Sequence, residues 1–374
     1  MDNSPLFETV ELSPGLQLRN RIVMAPMTTW ASNLDGTVSD EEIAYIRLRA
    51  KSVGLVITGC TSVQANGVGF TGEFAAHDDR YIPSLKSLAE AAKSGGAHAI
   101  LQIFHAGVKT RRELVSDIVA ASEVVGDAGP FAPATRPRSL SESEILEMIR
   151  AFGETTRRAI DAGFDGVELH GAHGFLLQNF LSPHFNQRVD QWGGSLEGRL
   201  RFPIAVVQEV RRVIDSYADR PFALGYRVSL EESHDDGLRL PESLVLVDHL
   251  VANQISYLHV SLGNALEDSP IDDQLTGTLL QRLAKHLNER VPLMGAGKNL
   301  TAQAAKKSIA DGLSLVAIGR SLVINPDWVS LTRTGKDADI KFDIAAEEVQ
   351  RVKIPSKLWA EIEGRTGWFN VRSS

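Results

Sequence analysis

Two histidines, His170 and His173, stand at the end of a short apolar run that is typical of a buried β-strand. In proteins that alternate strands and helices, catalytic side chains lie at the carboxyl ends of the strands. A histidine pair at this spacing could bind zinc, could donate hydrogen bonds to an oxygen that becomes negatively charged, or could be a structural pair in the core. Because no further zinc ligand of an obvious type lies in the same stretch, we predict no metal site.

Two other polar residues, Gln102 and Arg227, fall within or at the ends of predicted buried strands. A buried charge is costly unless it has a partner. Arg227 therefore indicates either an anionic or electron-rich ligand at the strand ends, or an ion pair with a neighbouring carboxylate such as Glu168. The sequence leaves both interpretations open.

Glycine-containing turns follow the last two predicted strands, at Gly295-Ala-Gly297-Lys298 and Gly319-Arg320-Ser321. Backbone N–H groups in such turns can bind phosphate, and the Arg320 guanidinium matches a phosphate in charge and geometry. The alternative is that glycine only permits ordinary turns. Their position after the seventh and eighth strands favours a phosphate site.

A regular framework must position these residues, and strand-type and helix-type segments alternate eight times along the chain. The strand-type runs are Ile22–Met27, Gly54–Cys60, Ala99–Phe104, Gly166–Leu169, Phe222–Val228, Tyr257–Ser261, Val291–Met294 and Leu315–Ile318. The helix-type segments include Ile82–Ser94, Leu196–Tyr217, Pro241–Val251 and Thr276–Asn288, and the capping-box pairs Ser39/Glu42 and Ser141/Glu144 begin two more. Strands that are apolar throughout predict a parallel sheet covered by helices.

Eight such units predict an α/β protein with a single (β/α)8 TIM barrel. We expect one domain over residues 1–374, with the barrel core at about 20–330 and a C-terminal extension at about 331–374. A doubly wound open sheet is the structural alternative, but no break in composition divides the chain into halves.

Composition excludes several classes of partner. A net charge of -8 without a Lys/Arg block argues against nucleic-acid binding, and no run of ~18 apolar residues predicts a membrane span. The single cysteine, Cys60, excludes a disulfide framework and an all-cysteine iron–sulfur site. The N-terminus has no pattern of a secretory signal, so we expect a cytoplasmic protein. Assembly into a homo-oligomer is left open.

Several motifs together resemble the old yellow enzyme family, and most closely its bacterial thermophilic-like branch. They are Pro26-Met27, Gln102, His105-Ala-Gly107, His170-Gly-Ala-His173-Gly174, Ser182-Pro183, Asn186-x-Arg188-x-Asp190, Gly193-Gly194-Ser195, Arg199-x-Arg201-Phe202 and Gly319-Arg320. The resemblance extends from Leu6 to about Trp328, and the agreement from His170 to Phe202 is highly specific.

This resemblance implies a TIM barrel that binds FMN at its mouth. By position, Ala25, Pro26, Met27, Thr28 and Cys60 line the flavin, Gln102 and Arg227 contact its pyrimidine end, and Gly297, Gly319 and Arg320 hold its phosphate. A cation beside the pyrimidine end would stabilise the anionic reduced flavin. His170 and His173 would bind the carbonyl oxygen of an activated alkene.

The implied activity is that of an FMN-dependent oxidoreductase. NADH or NADPH would donate a hydride, and a small α,β-unsaturated carbonyl compound would then be reduced at its C=C bond by a ping-pong mechanism. The alternatives are an FMN-dependent dehydrogenase or isomerase on the same fold, or a flavoprotein with low turnover.

Three departures from the family pattern concern the substrate and the flavin. Phe175 replaces the tyrosine that usually protonates the α-carbon, Thr28 replaces a cysteine near the flavin, and Trp30 replaces a tyrosine. A more apolar substrate pocket follows. The remaining candidate proton donors in the sequence are Tyr226, His105 and His234. The ending Arg365-Thr-Gly-Trp368 is either a contact to a neighbouring subunit's active site or an exposed tail.

Overall fold

A ring of eight parallel strands organises the computed structural model, which describes residues 4–129, 133–272 and 277–372. The strands, β1 to β8, are Ile22–Met24, Leu55–Ile57, His98–Phe104, Gly166–Gly171, Ala223–Val228, Tyr257–Ser261, Leu293–Ala296 and Leu315–Ile318. Each strand pairs in parallel with the next, and β8 pairs with β1, so the sheet closes. The predicted (β/α)8 TIM barrel is confirmed.

Seven helices follow strands β1 to β7 and surround the ring. These helices, α1 to α7, are Asp40–Arg49, Ile82–Lys93, Glu142–Asp161, Leu196–Tyr217, Leu240–Ala252, Leu279–Leu287 and Ala302–Ala310. The predicted start of α6 at Thr276 lies outside the described residues, and the helix itself begins after the cap Thr278. Within the described ranges, no helix is both long and apolar enough to cross a membrane.

Six of the eight strands differ from the prediction at one or both ends, and β4 continues to Gly171, two residues beyond the predicted end. Strand β1 ends at Met24 and β2 ends at Ile57, so Ala25–Thr28 and Thr58–Cys60 are loops rather than strand. A side chain at Gly59 would lie 3.0 Å from the carbonyl oxygen of Met27, and this close approach brings the two loops together. Strand β7 begins after Pro292, which has no N–H to donate to the ladder.

The two predicted capping boxes differ. Ser141 and Glu144 form the complete box at the start of α3. At α1, the Ser39 hydroxyl accepts from the backbone N–H of Glu42, but the Glu42 carboxylate accepts a hydrogen bond from the Thr29 hydroxyl instead of closing the box. Burial in this position raises the pKa of Glu42 to about 7.

The barrel interior is apolar at one end and polar at the other. The hairpin Val10–Ser13 with Leu16–Leu18 closes the amino-terminal end, and its leucines pack on inward side chains such as Val23, Leu55 and Leu315. Towards the carboxyl ends of the strands the inward side chains become polar. The polar side chains that could form an active site therefore lie at the carboxyl ends of the strands, as the sequence predicted.

Arg49 joins the C-terminal extension to the barrel. Its buried guanidinium donates to the carbonyl oxygens of Leu322 at 3.0 Å, Val323 at 2.7 Å and Val352 at 3.0 Å, and it also bonds the carbonyl oxygen of Tyr45. One side chain of α1 thus satisfies acceptors in both the barrel and the extension.

We expect Arg49→Met to destabilise the fold by about 3 kcal/mol or more, because several buried carbonyl groups lose their donor at once. The free energy of unfolding in urea measures this loss. Arg47→Met, an exposed position on the same helix, is the matched control and should change stability little. Equal stability of the two variants would contradict the role given to Arg49.

Candidate active site

A buried carboxylate lies in the barrel beneath its mouth. Glu168 on β4 accepts from Gln102 Nε2 at 2.7 Å and from the Tyr257 hydroxyl at 3.0 Å, and its oxygen lies 2.9 Å from His259 Nδ1. Burial acts to raise the pKa of Glu168, but His259 and the charge of Arg227 outweigh it and hold this pKa below its ordinary value. The carboxylate is therefore charged and fully partnered.

Arg227 lies beside this network without joining it. Its Nη2 donates to the Ser261 hydroxyl at 3.0 Å, whereas its buried Nε has no hydrogen-bond partner. Of the two interpretations of this arginine, the ion pair with Glu168 is not formed, since other side chains occupy that carboxylate. An unpaired N–H at this position fits an electron-rich ligand in the barrel mouth.

A cavity of about 440 Å³ opens above the network. Ten predicted site residues line it: Pro26, Met27, Thr28, Trp30, Cys60, Gln102, His170, His173, Phe175 and Arg227. The lining also includes Phe70, Lys109 and Asp127, which were not predicted, and Trp368. Because Gln102 commits its amide nitrogen to Glu168, its amide oxygen is left as an acceptor for a ligand.

The two histidines stand side by side, with ring centroids 4.9 Å apart. His170 Nδ1 accepts from the backbone N–H of Ala172 at 3.3 Å, so its proton is on Nε2. His173 Nε2 lies 2.7 Å from the Ser261 hydroxyl, which already accepts from Arg227 and can give its own proton to the imidazole. The remaining donors are His170 Nε2–H and His173 Nδ1–H.

Both histidines are held neutral. Burial lowers the pKa of His170 well below its usual value, and repulsion between the protonated forms of His170 and His173 and the positive charge of Arg227 act in the same direction as burial. Enclosure by the cavity walls lowers the pKa of His173 as well, with Arg227 and Lys109 contributing, although part of its ring is open to the cavity. Two neutral imidazoles can donate to a carbonyl oxygen without binding a proton from solvent.

Aromatic rings form part of the cavity wall. Phe175 meets His170 edge-on at 4.7 Å, and Trp30 meets Phe70 and Trp368 at 5.8 Å each. Trp368 belongs to the C-terminal segment, which packs on its own chain's cavity rather than extending as an exposed tail. The pocket is thus as apolar as Trp30 and Phe175 predicted.

None of the three proton donors proposed from the sequence is among the described residues that line the cavity. Tyr226 points into the core between strands and helices, where its hydroxyl has no partner. His105 is bonded to Asn66, and burial lowers its pKa to about 3. His234 stacks on His184 at the surface, with ring centroids 3.8 Å apart.

A second cavity of about 250 Å³ adjoins the first and shares Pro26, Met27, Arg227 and Trp368 with it. It brings together the other predicted site residues Ala25, Gly297, Gly319 and Arg320, and it adds Lys298 and Asn299. The two cavities form one elongated site.

The second cavity has the properties of an anion cradle. Gly297 has a φ of 156°, and a side chain there would lie 2.7 Å from the backbone nitrogen of Ala265. The buried Nδ2 of Asn299 has no partner, while its Oδ1 accepts from Ser308. Arg320 and Lys298 supply positive charge, so the residues present fit a phosphate.

Thr28 and Cys60 lie close together in the lining of the first cavity. The Thr28 hydroxyl lies 3.7 Å from the Cys60 sulfur. Burial, with Glu73 nearby, raises the pKa of Cys60, so its thiol is uncharged. In the described part of the chain, no cluster of three or more His, Cys, Asp or Glu side chains could hold a metal ion.

Comparison with known proteins identifies the family. The model of the NADH:flavin oxidoreductase / NADH oxidase family, which binds FMN, matches residues 5–338. The chain belongs to this family. It is therefore an FMN-dependent NAD(P)H oxidoreductase of the old yellow enzyme type, as the motifs predicted.

Relatives and a solved structure agree with this assignment. The probable NADH-dependent flavin oxidoreductase YqiG of Bacillus subtilis (strain 168) is 42% identical over 366 residues, which cover 97% of each chain. The NADH:fumarate oxidoreductase of Klebsiella pneumoniae (strain 342) is 38% identical over 362 residues, 96% of this chain but 39% of that protein. The structure of morphinone reductase in complex with tetrahydroNAD superimposes with a TM-score of 0.76 at 27% identity, and it covers 88% of this chain and 91% of that one.

We expect Arg320→Gln to weaken FMN binding to the apoprotein by about 10- to 100-fold, because a charged donor to the phosphate is lost. Quenching of flavin fluorescence measures the dissociation constant. Riboflavin, which lacks the phosphate, should bind the variant and the wild type equally, and the exposed Lys336→Gln serves as a control variant. An equal loss for riboflavin would place Arg320 away from the phosphate.

Proposed function

We propose that this FMN-dependent oxidoreductase reduces the C=C bond of α,β-unsaturated carbonyl compounds by ping-pong hydride transfer. The observation that carries the proposal is the pair of neutral imidazoles, each with one N–H available, in a cavity above Gln102 and Arg227. We also propose that residues 1–374 form a single FMN-binding domain.

The flavin-binding roles follow from the same geometry. Ala25, Pro26, Met27, Thr28 and Cys60 would line the ring, Gln102 and Arg227 would contact its pyrimidine end, and Gly297, Gly319 and Arg320 would hold its phosphate. When bound, FMN supplies the hydride chemistry, which it takes from NADH or NADPH. The unpaired N–H of Arg227 is available to an electron-rich ring edge.

The substrate-binding residues act on the carbonyl group. His170 Nε2–H and His173 Nδ1–H would donate to the carbonyl oxygen and draw electron density from the β-carbon. Trp30 and Phe175 would contact the apolar part of the alkene. Thr28, next to Cys60, can donate its hydroxyl proton towards the flavin and so affect its reactivity.

Three alternatives remain in the same family. Phe175 has no proton to donate, which favours a dehydrogenase, an isomerase or a low-turnover flavoprotein over an alkene reductase. The fumarate oxidoreductase of Klebsiella pneumoniae, by its name, couples NADH to an activated alkene, and this relationship supports alkene reduction here.

Anaerobic half-reactions test the proposal. We expect NADH or NADPH to bleach the flavin, and 2-cyclohexenone to restore its colour. His170→Leu should slow reoxidation by about 10²-fold or more, since one donor to the oxyanion is lost, whereas His170→Asn should retain most of the rate through its amide N–H. Brisk bleaching without reoxidation by any activated alkene would favour the dehydrogenase alternative.

The low pKa values of the histidines predict the pH dependence of reoxidation. A histidine whose pKa is lowered becomes charged only at a more acidic pH, so both imidazoles stay neutral as the pH falls from ~8 to ~6. The rate constant of reoxidation by the enone should show no step near the ordinary histidine pKa. A step near ~6.5 that disappears in His170→Asn would contradict this assignment.

A further inference from the structure

Alkene reduction requires a proton at the α-carbon as well as a hydride at the β-carbon, and this inference rests on the function proposed above. Phe175 cannot supply the proton, and Tyr226, His105 and His234 do not line the cavity. Among the described residues that line the cavity, Lys109 is a protonated side chain whose Nζ makes no hydrogen bond.

A rigid turn presents Lys109 to the cavity. The residue ends the 3₁₀ turn Gly107–Lys109, directly after β3, and its backbone N–H donates to Ala106 at 3.0 Å. The Asn179 side chain accepts from the N–H of Val108 at 3.1 Å. A side chain at Gly107 would collide with the same Asn179 oxygen, so the backbone of this turn is closely confined.

The lysine side chain runs along the backbone that carries Phe175. A Cβ at Gly174 would lie 3.1 Å from Lys109 Cε and 3.3 Å from its Nζ, so the ammonium group sits beside the residue that precedes Phe175. In the described ranges, Nζ makes no hydrogen bond and no ion pair, and Lys109 lines the cavity together with His170 and His173. An ammonium group with free N–H bonds thus faces the substrate space.

Charged groups surround Lys109 on several elements. Asp127, in the loop after the turn, pairs with His234 at 3.1 Å. The Glu232 carboxylate accepts hydrogen bonds from neutral donors. The neutral imidazoles of His170 and His173 lie on the cavity side of Lys109. Burial lowers the pKa of Lys109, and Asp127 and Glu232 only partly oppose this. A lowered pKa brings an acid closer to the pH at which it works.

We propose that Lys109 donates the proton to the α-carbon of the alkene, in the place of the tyrosine that this chain lacks. Bound FMN in its reduced form would supply the hydride for the new C–H bond at the β-carbon, and the C=C electron pair would take the lysine proton to form the C–H bond at the α-carbon. The N–H bond of the ammonium breaks, and the neutral amine recovers a proton from solvent. The histidine donors stabilise the charge on the carbonyl oxygen meanwhile.

Single-turnover reoxidation of the NADH-reduced holoenzyme by 2-cyclohexenone tests this role in two variants. Lys109→Met removes the acid. Lys109→Arg keeps the positive charge, but its guanidinium group does not release a proton. Both variants should lose about 10²- to 10⁴-fold in the rate constant of reoxidation. The rate of bleaching by NADH, which needs no proton from the enzyme, is measured in parallel as an internal reference, and Lys51→Met, at an exposed lysine, should behave as the wild type throughout.

Two readouts separate proton donation from a structural role. Phe175→Tyr should restore much of the rate when it is added to Lys109→Met, because it returns an acid to the usual position. With 2-methyl-2-cyclohexenone, the wild type should protonate one face of the α-carbon, whereas Lys109→Met and Lys109→Arg should give products of lower enantiomeric excess, since solvent supplies the proton.

The pH dependence of the reoxidation rate constant also tests the role of Lys109 as an acid. Only the ammonium form donates, so the wild-type rate constant should fall as the pH rises through the pKa of Lys109, and this fall should be absent in Lys109→Met.

Normal rates and selectivity in both variants would overturn the role of Lys109 but leave alkene reduction intact. Normal rates in Lys109→Arg alone would mean that the charge serves only to attract substrate, which also overturns the proposal. A wild type that no enone reoxidises would instead refute the proposed function itself.

Discussion

The buried charge of Glu168 is the constraint on which the mouth of the barrel depends. A carboxylate enclosed by strands is tolerated only with several partners, and here Gln102, Tyr257 and His259 supply them from β3 and β6. The ring of Tyr257 can reach the carboxylate because Gly225, on the strand between, has no side chain to meet it. One charge thus sets the side-chain positions of neighbouring strands below the cavity.

This network determines which polar atoms face the ligand. Glu168 takes the amide nitrogen of Gln102, so the amide oxygen is free, and it leaves Arg227 without a carboxylate to pair with. Arg227 in turn bonds Ser261, and Ser261 determines the proton position on His173. Glu168, which does not line the cavity, therefore determines which donors and acceptors of the site remain available to a ligand.

Much of the barrel could be predicted because its strands are short apolar runs bounded by loops. The runs Tyr257–Ser261 and Leu315–Ile318 match the strands at both ends. The errors have local causes that periodicity does not contain: Gly59 packs against Met27 and breaks the second strand, and Glu42 turns from its helix to a hydroxyl in the loop after β1. Contacts between loops distant in sequence decide such details.

The sequence by itself determined the fold, the family and the residues that stand at the carboxyl ends of the strands, because strand ends and motif spacing are local properties. Only the tertiary structure decided what those residues do together. Ser261 and Lys109 follow no recognisable spacing, and they matter because β6 and the turn after β3 bring them to the two histidines at the carboxyl end of β4. Tyr226 was excluded by the alternation of side chains along β5, which turns it outward and Arg227 inward. Hydrogen-bond partners, proton positions and the direction of a side chain depend on closure of the barrel, and no single stretch of sequence contains them.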